Sequence, residues 1–219
     1  MSVTDQTLLS EIQRATLEGT GDGGAIWPSG MWTSVEVVDY LNQRLQRFRV
    51  LTGLYWTRAE TNLTLSQANQ DPPSDWISTV FVAHRTGAVA DAGTYVELPR
   101  LDRLELDFAL PTWPAATGVP RGYYEVDGDT RTTYVAPIPT ASGALERYYV
   151  SLGTTLDRSG VDIGVSDEFI PTLKYGVLAE MFGKVGPGHN PLLAQAAEAR
   201  WQEGIAMGQL IAHEGWFAL

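Results

Sequence analysis

The chain has no cysteine and few basic residues, and both shortages narrow the range of its functions. Without cysteine it has no disulfide bonds, no thiolate ligands for zinc and no cysteine nucleophile. Fifteen lysines and arginines stand against 26 aspartates and glutamates, which gives a net charge of −11. Proteins that hold nucleic acid tightly neutralise its phosphates with lysine and arginine. The composition therefore disfavours a high-affinity nucleic-acid binder, but it is compatible with a protein past which DNA slides.

Long apolar runs are also missing. No stretch approaches the roughly 20 apolar residues that a transmembrane helix needs. The first residues, MSVTDQTLLSEIQ, lack the basic start and apolar centre of a signal peptide. Hydrophobic residues nevertheless make up 44% of the 219 positions, enough for a sizeable core. We therefore expect a soluble globular protein, made in the cytoplasm and without a membrane partner.

Candidate catalytic and metal-binding residues are scarce. His84, His189 and His213 lie in three separate segments without the spacing of metal ligands. The sequence has no Gly-x-Ser-x-Gly turn of the kind that carries a nucleophilic serine. The acidic pair Asp167 and Glu168 is explained by the start of a helix, where negative charge is favourable. The sequence thus predicts no enzyme, no metal and no cofactor.

The two ends of the chain are predicted to be helical. A first helix runs from Thr4 to about Leu17, and a second begins at a capping box formed by Thr33 and Glu36 and reaches about Leu51. Arg44 is assigned to the polar side of this second helix. Its predicted core stripe consists of Val35, Val38, Leu41, Leu45 and Phe48.

Two further helices are predicted after residue 160. Ser166 is expected to cap the third helix, and Gly183 to end it. Asn190 followed by proline marks the start of the fourth. Residues 213–219 are expected to form a tail beyond this helix. The predicted core stripes are Ile170, Leu173, Val177 and Met181 in the third helix and Leu193, Ala197, Trp201 and Ile205 in the fourth.

Between these helices the pattern is that of β-strands. Short runs rich in β-branched and aromatic residues alternate with turn residues from about Thr61 to Thr155. Asp127-Gly128 between YYEV and TTYV predicts a hairpin with a two-residue type I′ turn. Asp127-Gly128-Asp129 also resembles the start of a calcium loop, but the glutamate twelve positions on is missing. The alternating acids Glu97, Glu105 and Asp107 are typical of the solvent face of a strand.

The predicted fold class is therefore α+β. A helical bundle is built from both chain ends, and a β-rich insertion, hairpin- or sandwich-like, lies between the second and third helices. The predicted divisions are residues 1–60, 61–160, 161–212 and a tail of 213–219. Seven tryptophans are present, several beside proline or glycine. We expect about half of them in the core and half at interfaces, where buried aromatic residues carry much of the binding energy.

The order of several motifs resembles one family. Trp113 precedes Gly118-Val119-Pro120, the hairpin then ends in Pro137-Ile138-Pro139, and the helical segments VSDEFIPTLKYGVLAEMFGKVG and NPLLAQAAEARWQEGI follow. In this order, and over roughly 35–211, the chain resembles the head-to-tail adaptor proteins of tailed bacteriophages. These include the tail tubular proteins of short-tailed phages and the connector proteins of long-tailed ones. The stretch up to Gly24 has no clear counterpart in that pattern.

The resemblance implies a structural virion protein, synthesised in the bacterial host. Such proteins form a ring, typically a dodecamer, under the portal protein, where they extend the DNA channel and contact the next tail or neck protein. Double-stranded DNA passes through without specific binding. The resemblance assigns portal contacts to His213, Trp216, Phe217 and Leu219. Contacts with a neighbouring copy or the next component are predicted for Trp113, Asp127, Asp129 and Arg131.

Two alternatives stay open from the sequence. A carbohydrate- or receptor-binding module of a phage particle would use the tryptophans, but this reading does not explain the two C-terminal helices. A glycan hydrolase would need two carboxylates that converge across a cleft. The sequence offers no such pair beyond the acids at a helix start.

Overall fold

The computed structural model describes residues 3–17, 27, 29–87, 95–109, 111–125 and 132–216. The chain divides into two compact units, one made of residues 1–55 and 152–219 and the other of residues 56–151. The first contains helices and the second mainly antiparallel sheet, so the predicted α+β class is confirmed.

The α-helices of the described residues are, in chain order, α1 (Asp5–Ala15), α2 (Ser34–Thr52), α3 (Arg103–Ala109), α4 (Ile170–Gly183) and α5 (Pro191–Trp216). A 3₁₀ turn, Asp167–Phe169, leads into α4. The strands of the same residues are β1 (Trp56–Asn62), β2 (Asn69–Gln70), β3 (Trp76–Thr86), β4 (Val96–Leu98), β5 (Thr117–Gly118), β6 (Gly122–Glu125), β7 (Thr133–Ala136), β8 (Ile138–Pro139) and β9 (Gly143–Ser151).

Helix α2 begins at the predicted capping box. The Glu36 backbone N–H donates to Thr33 Oγ1 at 3.3 Å, and the Thr33 N–H donates to Glu36 Oε2 at 3.4 Å. Its predicted stripe is correct except for Val35, which is 65% exposed while Val37 is fully buried. Residues two apart on a helix point about 200° away from each other, so only one of these valines can face the core.

Helices α4 and α5 follow their predicted stripes closely. The four predicted α4 positions are all buried, as are Ala197, Trp201 and Ile205 of α5. Leu193 is the exception, with 48% of its side chain exposed. Steps of four residues drift by about 40° on an α-helix, so Leu193 lies about 80° from Trp201 at the margin of the stripe.

The start of α4 differs from the prediction in its cap. Ser166 makes no capping hydrogen bond through its side chain. Its hydroxyl instead lies 3.0 Å from the Tyr55 hydroxyl, and its backbone N–H donates to the same oxygen. The chain therefore enters α4 through the 3₁₀ turn, with Ser166 bonded to the segment after α2.

Helix α1 is an integral part of the first unit. Leu8, Leu9 and Ile12 are buried in the same core as α2 and α4. The buried Asp5 carboxylate accepts hydrogen bonds from the backbone N–H groups of Arg158 at 2.7 Å and Gly160 at 3.0 Å. Burial of apolar side chains and a satisfied carboxylate fix α1 to the loop before α4.

Among its described residues, the second unit contains three small sheets and helix α3. An antiparallel sheet has the strand order β1-β9-β3-β4, a second has the order β2-β7-β6, and β5 pairs in parallel with β8. Where alternating acids predicted a strand, the chain forms α3, so that prediction is wrong for Glu105 and Asp107. The Glu105 N–H donates to Asp102 Oδ1 at 2.7 Å, and the Asp102 N–H donates to Glu105 Oε2 at 2.9 Å. This reciprocal pair has the form of a capping box, which favours a helix at this point.

The predicted hairpin exists as the antiparallel pair β6 and β7. A two-residue turn at Asp127-Gly128 would pair Tyr124 with Arg131. The structure pairs Tyr124 with Tyr134. Asp127 and Gly128 themselves lie outside the described residues, so the tight turn stays a prediction.

Tyr123 makes the stability of the second unit depend on pH in the alkaline range. Its side chain is 2% exposed in a cluster with Val82, Val135 and Leu145. Burial, assisted by the negative charge of Glu125, raises its pKa from 10.0 to about 12. The folded state thus holds a proton that the unfolded state loses first. The contribution of the Tyr123 hydroxyl to the free energy of unfolding is fully present below about pH 10. It is lost as the pH rises through about 12.

Above about pH 10 the free energy of unfolding should therefore fall less steeply in Tyr123→Phe than in the unchanged chain. The difference in this fall should reach about 2 kcal/mol at the highest pH. Chemical denaturation of the full chain from about pH 9 to about pH 11.5 measures this slope. Val135→Ala in the same cluster is the control, because it should lower stability at every pH and leave the slope as it is. An unchanged slope in Tyr123→Phe would contradict the assignment.

Candidate assembly surfaces

The predicted portal contacts fall at the end of α5. This helix continues to Trp216, so His213 and Trp216 lie in its last turn and not in a tail. No proline interrupts the sequence after Pro191, and only Gly215 is a poor helix former near this end. Phe217 and Leu219 lie outside the described residues. The role of these four residues stays a prediction.

Trp113 is the one described member of the second predicted contact set. It is 8% exposed, and its indole N–H donates to Asp107 Oδ1 at 2.8 Å. Its ring meets the Tyr124 ring edge-on with centroids 5.0 Å apart. Within this chain, Trp113 therefore ties α3 to strand β6. Its companions Asp127, Asp129 and Arg131 lie outside the described residues, and their contacts stay predictions.

Sequence reasoning missed a second apolar face on α5. The exposed fractions are 77% for Leu192, 56% for Met207 and 66% for Leu210. We call the following exposed positions the α5 outer face: Leu192, Leu193, Ala196, Ala199, Arg200, Glu203, Met207, Leu210 and Ile211. Its two charged residues, Arg200 and Glu203, pair with each other at 3.0 Å. Exposed apolar residues grouped in this way indicate a surface that binds another protein.

Helix α2 also presents a surface with little charge. Val35 and Val50 are 65% and 51% exposed near its two ends. We call the following exposed positions the α2 outer face: Val35, Asp39, Gln43, Gln46, Arg47 and Val50. One acid and one base give this face no net charge. It differs in this respect from the chain as a whole, whose net charge is −11.

A buried arginine joins α2 to α4 and α5. Arg44, predicted to face solvent, has a side chain that is 6% exposed. Its Nη2 atom lies 2.8 Å from both Glu180 Oε1 and Glu198 Oε2. Its guanidinium carbon lies 5.0 Å from the centre of the Trp201 ring. Two carboxylates and an aromatic face offset the cost of burying this cation, which explains why the predicted exposure is wrong.

The second unit exposes an aromatic cluster on its four-stranded sheet. Trp56 is 42% exposed and meets the Tyr148 ring with centroids 5.2 Å apart, and Phe81 stacks on the same ring at 4.1 Å. The neighbouring Arg58 pairs with Glu60 and Glu146. Of the tryptophans whose side chains are described, Trp56 is the most exposed. The four buried ones are Trp27, Trp32, Trp113 and Trp201.

The described residues offer little for chemistry. They contain no group of three histidine, aspartate or glutamate side chains placed to hold a metal ion. Across the same ranges, no helix is both long enough and apolar enough to cross a bilayer. His84 is buried in β3, and burial lowers its pKa. The exposed surfaces described above are therefore the main candidates for function in the described residues.

Comparison with known proteins identifies the family. The family model described as SU10 adaptor protein matches residues 6–215. The match begins at the first turn of α1, so the N-terminal helix, for which the sequence showed no clear counterpart, belongs to the family pattern. No curated protein matches the chain.

A search of solved structures found the neck of an empty GTA particle, computed with C6 symmetry. That chain is 18% identical, with 92% of each chain covered and a TM-score of 0.26. The family match spans nearly the entire sequence, and it confirms the resemblance to phage head-to-tail adaptors. The chain belongs to the SU10 adaptor protein family, and its role is that of a structural connector between phage head and tail.

Proposed function

We propose that the chain forms a ring, a dodecamer in the virion, directly beneath the portal protein. The ring joins the filled head to the tail or neck below and extends the channel through which DNA leaves. The observation that carries this proposal is the match of residues 6–215 to an adaptor family. The exposed apolar residues of α5 support it, because a ring subunit needs a surface for each neighbour.

The charge of the chain suits this place in the particle. A net charge of −11 repels the phosphates of DNA at short range. A channel wall with this balance lets the duplex move without being held. No catalytic step is part of the proposal.

The end of α5 is the proposed portal anchor. Leu210 and Ile211 are 66% and 48% exposed on the turns that precede Trp216. Aromatic and aliphatic residues at the end of a helix suit insertion into a groove of a partner protein. We assign this contact to the last turn of α5 together with residues 217–219.

The segment between β6 and β7 is the proposed contact with a neighbouring copy or the next neck component. Asp127, Asp129 and Arg131 belong to it. Trp113, the fourth residue of this predicted set, packs on Tyr124 in strand β6, which precedes this segment.

A second candidate function is binding of a carbohydrate or a receptor. The observation in its favour is the exposed Trp56 beside Tyr148, since flat aromatic surfaces are suited to stacking on a ligand ring. Retention on a glycan column that is lost in Trp56→Ala would support it. The adaptor function ranks first because the family match covers nearly the whole chain.

The portal contact is tested by a pull-down against the portal protein of the same phage. The full-length chain should be retained, and a chain that ends at Ala212 should be lost. Since the truncation removes the last turn of α5, the double variant Trp216→Ala, Phe217→Ala in the full-length chain serves as a second test. Circular dichroism checks that both variants keep their helices.

The outcomes separate two claims. If the shortened chain and the double variant were both retained, the portal contact would not lie at the end of α5. The adaptor role itself would still stand. Failure of the full-length chain to bind, even in assembled particles, would contradict a position under the portal.

A further inference from the structure

We infer that neighbouring copies in the ring meet through the α5 outer face of one copy, from Leu192 to Met207, and the α2 outer face of the next, with the two helices side by side and parallel. This inference rests on the proposed ring. It goes further by naming the two faces and the level at which each pair of residues meets.

We call the position of a residue along the length of the bundle its level. The levels of α2 and α5 residues can be compared within one chain. Arg44 lies beside Trp201, the Gln209 side chain donates to the Leu51 carbonyl at 2.9 Å, and Gly208 packs against Thr52. In each pair the α5 residue number exceeds the α2 number by 156 to 158. The numbers rise together, so the helices are parallel, and α2 residue n lies level with α5 residue n + 157.

Cyclic symmetry carries this correspondence to the neighbouring copy. A rotation about an axis that runs along the bundle changes neither the direction of a helix nor the height of a residue. We place the ring axis along the bundle as part of this inference, and the α2 helix of the next copy then lies parallel to α5 at the same levels. Val35 then meets Leu192, and Val50 meets Met207, which brings exposed apolar residues together at both ends.

The charges of the two faces match at these levels. Arg47 lies one residue from the level of Glu203, and their charges are opposite. Asp39 lies four residues, or about 6 Å, from the level of Arg200, which is within reach of an arginine side chain. The Arg200–Glu203 pair within one chain is exposed on both sides, so exchanging its partners costs little.

A second copy is the occupant that the charges favour. Two chains with a net charge of −11 repel each other over most approaches. Each of these two faces carries one acid and one base among its exposed residues. The apolar residues of the two faces, Val35 with Leu192 and Val50 with Met207, lie at the same levels. The approach that joins them avoids the repulsion and buries exposed leucine, valine and methionine side chains.

Cysteine cross-linking tests the pairing directly, because the chain contains no cysteine of its own. Particles are produced with a mixture of Val50→Cys and Met207→Cys chains and then oxidised. Because each chain has a single cysteine, a bond between the two variants must join different copies. We expect a covalent dimer that contains one chain of each kind.

A mixture of Val35→Cys and Met207→Cys chains is the matched control. Both positions are exposed, but their levels differ by about 15 residues or roughly 22 Å. This separation is far beyond the reach of a disulfide bond. Little or no mixed dimer is expected.

Charge reversal gives a second test. Arg47→Glu and Glu203→Arg should each reduce the yield of rings by about fivefold or more, since one unfavourable contact recurs at every interface. The two changes combined in one chain should restore assembly. Glu97→Arg, an exposed change outside both faces and outside any helix, is the control and should leave the yield unchanged.

The results distinguish the inference from the proposed function. Electron microscopy of the same particles shows whether the neck holds a ring of this chain. A ring without the bond between positions 50 and 207, or with Met207→Cys linked to the portal, would overturn the inference and leave the adaptor ring standing. Absence of any such ring would overturn both.

Discussion

Replacement of Trp201 by alanine is expected to lower the free energy of unfolding by about 3–5 kcal/mol. Trp201 is 1% exposed and is the largest of the fully buried side chains. Its ring packs against the Phe48 ring at 6.2 Å and beneath the Arg44 guanidinium at 5.0 Å. Alanine would leave a cavity between α2, α4 and α5, and it would also remove the aromatic face that helps to hold a buried cation.

Urea denaturation followed by circular dichroism measures this loss. A domain is typically stable by about 5–15 kcal/mol, so the variant should lose a large part of its stability. Leu210→Ala on the same helix is the control, because Leu210 is 66% exposed and should change stability by about 0.5 kcal/mol or less. Equal effects of the two changes would contradict the described packing of α5.

Replacement of Gly204 by valine is expected to destabilise the helical unit by about 3 kcal/mol. A Cβ atom at position 204 would overlap the side chain of Thr172, which is buried on α4. Gly176 allows a similarly close approach, since a Cβ there would lie 2.6 Å from Trp201 Cε3. Small residues thus set the distance between α4 and α5, and a β-branched side chain would force the helices apart.

Gly183→Ala is the matched control for this change. A Cβ at position 183 would meet nothing within 4 Å. The substitution should therefore be neutral or raise stability by about 0.4–1 kcal/mol. Thr172→Ala combined with Gly204→Ala should recover part of the stability that Gly204→Ala alone loses. Without such recovery, the overlap with Thr172 would not be the cause.

Local signals in the sequence predicted much of the helical unit. The capping box at Thr33 and Glu36 and the cap at Asn190 depend on residues within one turn of each other, so their geometry follows from spacing alone. The buried stripe of α4 also follows from its period. In α3, Asp102 and Glu105 form the same kind of capping pair, but the alternation of acids along this stretch is equally compatible with a strand.

Features that depend on distant segments were not predicted. Arg44 appears on a polar face in the sequence, and its partners Glu180 and Glu198 lie more than a hundred residues away along the chain. Only the packed bundle brings the three together.

The assembly surfaces were hidden for a related reason. A periodic pattern predicts which stripe of a helix is buried in its own chain, and Trp201 marks that stripe in α5. Apolar residues also lie on the opposite side, such as Leu192, Met207 and Leu210. Because they do not interrupt the periodic pattern, the sequence does not show that they are exposed.

The most direct measurement of the central claim is electron microscopy of the neck in intact phage particles. We expect a ring of this chain directly under the portal, with the ends of α5 against portal subunits and the channel open to DNA along its axis. A neck in which no ring of this chain contacts the portal, or particles that carry the chain only at another site, would contradict the account.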